Sequence, residues 1–213
     1  MELDRQYVIR DTEELTSLYN PPLERSVRKQ MDHLDEYCRA FIAASPLIVI
    51  GTQGAGGEAA DNSPRGDVPG FVKVVDDYTL LIPDRRGNDR LDTLRNVVRN
   101  PAVGILFLVP GVYETFRVHG EGVISRDPAL TQAFVMNGKA PRTVMVVRVR
   151  EAISIAAGRW CGPIFGIRRS SRVRGRCRRW ARSWRPTPAG SWMPEPTTTR
   201  LASEFPSLSI DIS

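Results

Sequence analysis

The sequence predicts a mainly antiparallel β domain with flanking helices, of the α+β class, over residues 1–150. Three observations predict it. Six short runs rich in apolar and β-branched residues recur between Leu47 and Val149. Tight turns rather than regular helical crossovers separate them, which favours an antiparallel barrel over a doubly wound sheet. Helical periodicity is confined to segments that begin near Pro21, Asn88 and Asp127.

The elements follow in order. After Pro21-Pro22, residues Leu23, Val27, Met31, Leu34, Cys38, Phe41 and Ile42 recur at three- and four-residue spacing, which predicts one helix ending before Pro46. Leu47–Ile50 is a buried first strand, and the Gly/Ala-rich stretch from Gln53 to Asn62 is a loop or hairpin tip. Phe71–Val75 and Tyr78–Ile82 form a hairpin across Asp76-Asp77. Asn88 is the expected N-cap of a helix that turns Leu91, Leu94, Val97 and Val98 inward and stops at Asn100-Pro101. Val103–Val109 is the fourth strand, followed by a turn at Pro110-Gly111. Thr115–Ser125 is the fifth, with Phe116, Val118 and, after Gly120, Val123 on the inner face. Asp127-Pro128 is an N-cap and N1 pair for a short helix carrying Leu130, Phe134 and Val135. Thr143–Val149 is the sixth strand.

Composition bounds the function. The 213 residues suffice for one ordinary core, and 41% hydrophobic with 25% charged residues is globular. No uncharged apolar run is long enough to span a membrane, and the first residues lack the pattern of a signal peptide. Three cysteines without a CxxC pair make the cytoplasm the expected compartment. Two histidines leave little for a His-rich metal site or a histidine-driven hydrolase. Charge is split: residues 1–150 are net −1, whereas residues 151–213 are net +7 and hold all four tryptophans. The basic pI therefore belongs to the tail and is no evidence of a nucleic-acid-binding domain.

Two clusters carry the chemistry. Ser63-Pro64-Arg65-Gly66-Asp67-Val68-Pro69-Gly70 and Ile82-Pro83-Asp84-Arg85-Arg86-Gly87-Asn88-Asp89-Arg90 each set arginine beside glycine at a strand end. The second runs into a helix N-terminus, where free N–H groups and the dipole favour an anion. Guanidinium forks match phosphate oxygens, and glycine lets the backbone approach. Taken singly, each cluster is also compatible with a solvated turn. His119 reads as a structural histidine on a strand, and Cys38 as core.

Residues 20–150 resemble the FMN-binding split-barrel family of pyridoxamine 5′-phosphate oxidase-like proteins, and one bacterial branch of it closely. The resemblance rests on those two clusters together with Asn20-Pro21-Pro22, Ser45-Pro46, Asn100-Pro101, Pro110-Gly111 and Glu114-Thr115. It implies a six-stranded antiparallel split barrel, a homodimer, and FMN in a groove at the dimer interface. It implies that Arg65, Arg85, Asn88 and Arg90 hold the flavin phosphate and ribityl side. Arg142 is a further candidate, and Phe71, Val72, Lys73 and Val74 would lie along the isoalloxazine through their backbone. A deazaflavin such as coenzyme F420 is the alternative cofactor. The substrate motif of the oxidase proper has no match in this chain, so vitamin B6 oxidation is not implied.

The expected organisation is an N-terminal helical arm over 1–20, the split-barrel domain over 21–150 and an Arg/Trp/Pro-rich tail over 151–213. The tail reads as a basic arm, as a disordered extension, or as a segment translated out of frame. Twenty-seven arginines against three lysines indicate a GC-rich gene. Read from the third base of each codon, Glu151–Ile167 can encode EAYFHCGRALVRSDLWD, a string similar to the family's at this place. Trp160-Cys161 forces a valine in that frame and Trp192-Met193-Pro194 forces Asp-Ala. A one-nucleotide frame change near codons 151–153 is therefore expected. The leading functional expectation is an FMN-dependent oxidoreductase acting on a small molecule. A non-catalytic flavin carrier or sensor, or a defective family member, is the alternative, and nucleic-acid binding through the tail ranks below both.

Overall fold

The computed structural model describes residues 3–27, 29–56, 59–112 and 114–156, together with the backbone of two short strands at 184–186 and 192–194. The chain divides into two compact units, Met1–Gln30 and Met31–Ser213. The first holds a short 3-10 turn at Arg5–Tyr7 and the helices α1 (Thr12–Ser17) and α2 (Glu24–Val27). Asp4 and Asp11 cap its first two elements, accepting from Gln6 N and from Glu13 N and Glu14 N. No described residue of this arm up to Val27 is buried.

After β1 (Gln30–Met31), the second unit runs through α3 (Glu36–Ala44), β2 (Leu47–Gln53), β3 (Ala60–Gly66), β4 (Lys73–Val74) and β5 (Thr79–Pro83). It continues with α4 (Asp92–Arg99), β6 (Ala102–Leu108), β7 (Glu114–Ser125), α5 (Pro128–Gln132) and β8 (Val144–Ala156). The main path of the sheet is β3-β2-β6-β7-β8-β5-β4, and every pairing along it is antiparallel. β3 and β4 are its open ends, so the barrel is split rather than closed. A separate two-stranded ribbon pairs β9 (Trp184–Pro186) with β10 (Trp192–Pro194). The rest of the tail, and with it the out-of-frame reading, lies outside the described residues.

Three helices cover the sheet. α3 buries Cys38, Phe41 and Ile42, and Phe41 stacks at 5.9 Å on Phe116, which meets Phe107 at 5.8 Å. α4 buries Thr93, Asn96 and Val97, and Asn96 Nδ2 donates to Thr52 Oγ1 at 3.1 Å. α5 carries Leu130, and Phe134 follows it; both pack on Leu81, Val144 and Val146 in a second, smaller core. β8 therefore buries both faces, with Met145, Val147 and Val149 in the main core, and it reads as a continuous apolar run.

Four expectations are corrected. The long helix after Pro22 is two helices, because the Asp35 carboxylate accepts from Cys38 N and starts α3 afresh. The stretch expected as loop up to Asn62 turns earlier, and β3 forms from Ala60 despite its polar residues and Pro64. An edge strand tolerates a proline whose missing N–H faces outward. The strand expected over Phe71–Val75 is only Lys73–Val74. In β7 the phase does not change after Gly120: Gly120 and Gly122 point inward and Val123 outward. The irregularity lies on β8, where His119 pairs Glu151 and Gly120 pairs Val149, leaving Arg150 as the extra residue. A Cβ on Gly120 would stand 2.2 Å from the Arg148 carbonyl oxygen, which is why glycine stands opposite the bulge.

Candidate anion-binding site

The site grows out of the open end of the sheet at β3. Along this strand Asp61, Ser63 and Arg65 alternate onto the half-buried face. The Asp61 carboxylate accepts from Ser63 Oγ at 2.8 Å and from Thr93 Oγ1 at 2.9 Å, which fixes the strand to α4. Arg65 is the next residue on that face, and its Nη1 donates to Asp84 Oδ1 at 2.8 Å. Asp84 follows directly on β5, and its own N–H donates to the Thr143 carbonyl at 2.9 Å, continuing the ladder to β8.

The neighbouring pair runs the other way. Arg85 Nε donates to Asp67 Oδ2 at 2.9 Å, while Asp67 Oδ1 accepts from Val68 N at 2.8 Å. Each cluster thus supplies one arginine and one aspartate to the other: Arg65 to Asp84, and Asp67 to Arg85. Arg85 also donates through Nη1 to the Phe134 carbonyl, and Lys73 Nζ sits 5.3 Å from the Phe134 ring centre. Two reciprocal pairs and a backbone carbonyl hold these guanidiniums in place before any ligand arrives.

The far wall is built from turns. Asn88 Oδ1 accepts from Arg90 N at 3.1 Å, and Asp89 adopts φ +53°, so the chain reverses before α4. The N-cap position of α4 is Leu91, without a side-chain cap, rather than the expected Asn88. The first-turn N–H groups are left without a capping side chain. Of the four residues expected inward, Val97 is buried and Leu94 half-buried, whereas Leu91 is exposed and Val98 is 74% exposed. Opposite, Met136 and Lys139 exchange both backbone hydrogen bonds at 3.0 Å around Asn137-Gly138. Both central residues have positive φ, +50° and +73°, the signature of a type I′ turn. Arg142 Nη1 reaches Asp89 Oδ1 at 3.3 Å.

These segments enclose a cavity of about 910 Å³, in the upper part of the range for small-molecule sites. It brings together Arg65, Arg85, Asn88, Arg90 and Arg142. It does not include Phe71, Val72, Lys73 or Val74: Phe71, Val72 and Val74 are buried in the main core, and Lys73 lies against Phe134. Asp67, Asp84, Arg86 and Asp89, which the two clusters hold without an assigned role, also line it, as do Lys139 and Thr143, which the sequence reading missed. Six cationic side chains against three carboxylates leave a surplus of three positive charges. Thr143 Oγ1 is buried without a hydrogen-bond partner among the described residues.

The remaining titratable candidates lie elsewhere. His119 is 47% exposed, with Nδ1 3.7 Å from Glu151 Oε1, and lines a shallower hollow of about 530 Å³. Burial pushes the Cys38 thiol up, away from reactivity. His33 donates through Nδ1 to Asp32 Oδ1 at 2.8 Å, and this hydrogen bond raises its pKa above the ordinary histidine value. Among the described residues no His/Cys/Asp/Glu cluster could hold a metal ion, and no helix is long and apolar enough to cross a membrane.

The model of the family described as pyridoxamine 5′-phosphate oxidase matches residues 34–156, more than half of the chain. The chain belongs to this family. The match ends with β8, and it spans both arginine clusters and the whole cavity. The pyridoxamine 5′-phosphate oxidase family binds flavin. No curated protein matches the chain. Among solved structures, HupZ of Group A Streptococcus is 18% identical with a TM-score of 0.47, covering 56% of this chain and 92% of that one. General Stress Protein 26 from Bacillus anthracis is 16% identical with a TM-score of 0.41, covering 54% and 88%. The FAD binding protein from Mycobacterium smegmatis is 17% identical with a TM-score of 0.40, covering 59% and 97%.

Proposed function

We propose that the cavity binds the phosphate and ribityl end of FMN and that the protein is a cytoplasmic, homodimeric flavin-dependent oxidoreductase acting on a small molecule. The observation that carries this reading is the convergence of Arg65, Arg85, Asn88, Arg90 and Arg142 in one cavity with a cationic surplus, beside an uncapped helix start. The donor set suits a phosphate monoester, and the orphaned Thr143 hydroxyl supplies a further polar partner. When bound, the flavin supplies hydride transfer, which is the cofactor's own chemistry.

The chain's own residues bind and orient. Arg65 and Arg85 are held by Asp84 and Asp67, so their forks are preorganised and little side-chain entropy is lost when an anion arrives. Asn88 and Arg90 close the turn before α4 and line the same cavity. Phe134 couples the site to β4, through its carbonyl on Arg85 and its ring beneath Lys73. The β4 strand is the open end of the sheet path and keeps one backbone edge unpaired along that path, so it is the element we assign to the flavin ring.

One observation favours a second reading, a non-catalytic flavin carrier: the described lining holds no His, Cys or Tyr to move a proton. Titration with FMN tests the binding, and turnover tests the class. Oxidation of NAD(P)H by the flavin-loaded protein supports the oxidoreductase; a bound but inert flavin supports the carrier.

A further inference from the structure

Two cations of the cavity are assigned no contact with the flavin. Arg86 and Lys139 line it, yet neither side chain has a carboxylate or hydrogen-bond partner among the described residues. Their neighbours Arg65 and Arg85 are each locked to an aspartate. A phosphate monoester carries about −1.5 to −2 charges near neutral pH, which does not consume the surplus of three. Their placement also sets them apart. Lys139 closes the hydrogen-bonded Asn137-Gly138 turn, Arg86 follows Arg85 towards Gly87, and both are exposed. Two unpaired cations lining one cavity raise its positive potential, which an anion would relieve.

Resting on the flavin reading of the inner cations, we infer that Arg86 and Lys139 form a second anion subsite in the same cavity. Its occupant is a phosphate or carboxylate group that enters together with the flavin phosphate. That group belongs either to a longer cofactor, such as the adenylate half of a flavin dinucleotide, or to an acidic substrate. Either way the cavity selects ligands by two negative groups held apart.

The test uses inorganic phosphate as the probe, titrated calorimetrically into full-length, FMN-saturated protein at low ionic strength. Phosphate is expected to bind the loaded protein, and the Arg86→Gln/Lys139→Gln variant is expected to weaken it by about tenfold. The affinity of the same variant for FMN is expected to change by no more than about threefold, since screened, exposed charges contribute little. No phosphate binding to the loaded protein, or binding unchanged in the variant, overturns the inference. FAD that binds more tightly than FMN, displaces phosphate and loses its advantage in the variant assigns the second anion to the cofactor. Equal affinity for the two flavins, with phosphate retained beside each, assigns it to an acidic substrate. If FMN does not bind at all, the flavin reading fails by itself. The subsite is then read on flavin-free protein, where phosphate must show two classes of site. Arg86→Gln/Lys139→Gln removes one of them and Arg85→Met the other; a single class overturns the inference.

Discussion

Replacing Arg85 by methionine separates what this side chain does for the fold from what it does for the ligand. Arg85 is 28% and Asp67 12% exposed, so the pair is half-shielded rather than solvated. The substitution removes two charge-assisted hydrogen bonds, to Asp67 Oδ2 and to the Phe134 carbonyl. It leaves the Asp67 charge with only the Val68 N–H as donor among the described residues. Bonds of this kind contribute about 1.5–3 kcal/mol each, and the partial exposure lowers the total, so a loss of about 2–3 kcal/mol is expected. In a domain of this size that lowers the thermal midpoint by roughly 6–12 °C. The loss of one charge-assisted contact to a phosphate weakens FMN by about 10- to 100-fold. Asp67→Asn combined with Arg85→Met removes the orphaned charge, so stability recovers in part while FMN affinity does not. Arg86→Met, which breaks no bond among the described residues, leaves stability within about 0.5 kcal/mol. Thermal melts and quenching of flavin fluorescence, read well below every midpoint, check all of these. An Arg85→Met protein that binds FMN as the unmodified chain does, or a double variant that regains both properties together, refutes the reasoning.

Three further outcomes are expected. Gly120→Ala drives a Cβ to 2.2 Å from the Arg148 carbonyl and destabilises the domain by about 3 kcal/mol or more, read by chemical denaturation; a neutral result removes the account of the bulge. Asp35→Ala removes the cap of α3 and costs about 1 kcal/mol, with Asp35→Asn or Asp35→Ser nearly neutral in the same assay. The hydrogen bond His33 donates to Asp32 raises the His33 pKa, so its contribution is present below the unfolded histidine value of 6.5 and is lost as the pH rises through the higher folded value. NMR titration is expected to show His33 titrating above its ordinary value, and Asp32→Asn is expected to return it; an unmoved His33 in that variant contradicts the pairing.

How much was legible in the sequence follows from which signals are local. β2, β5, β6 and β7 announce themselves because their apolar runs face a core and their turns carry Gly or Asp. The break before α3 was hidden because apolar spacing continues across Asp32-His33-Leu34-Asp35, and only the Asp35 side chain decides where the helix starts. β3 was hidden because its residues are polar and include Pro64; it exists through its register with β2, Ile48 opposite Arg65 and Ile50 opposite Ser63. The arginine clusters were visible as strings, and the cavity brings their predicted residues together. Their crossed pairing was not, since it needs β3 laid beside the end of β5. The signal was present all the same: each cluster holds an aspartate beside or two residues from its arginine, Arg65 with Asp67 and Asp84 with Arg85. Lys139 and Asn137 escaped notice because a two-residue turn far along the chain carries no motif of its own, only the Asn-Gly pair.

The central claim, a flavin phosphate held by the crossed arginine pairs, is tested most directly by the visible absorbance spectrum of the purified protein titrated with FMN, beside riboflavin, which lacks the phosphate. The account predicts a bound-flavin spectrum with FMN and binding weaker by about 100-fold or more with riboflavin, because the cavity's donors converge on the phosphate. Equal binding of the two, or binding of neither, contradicts it.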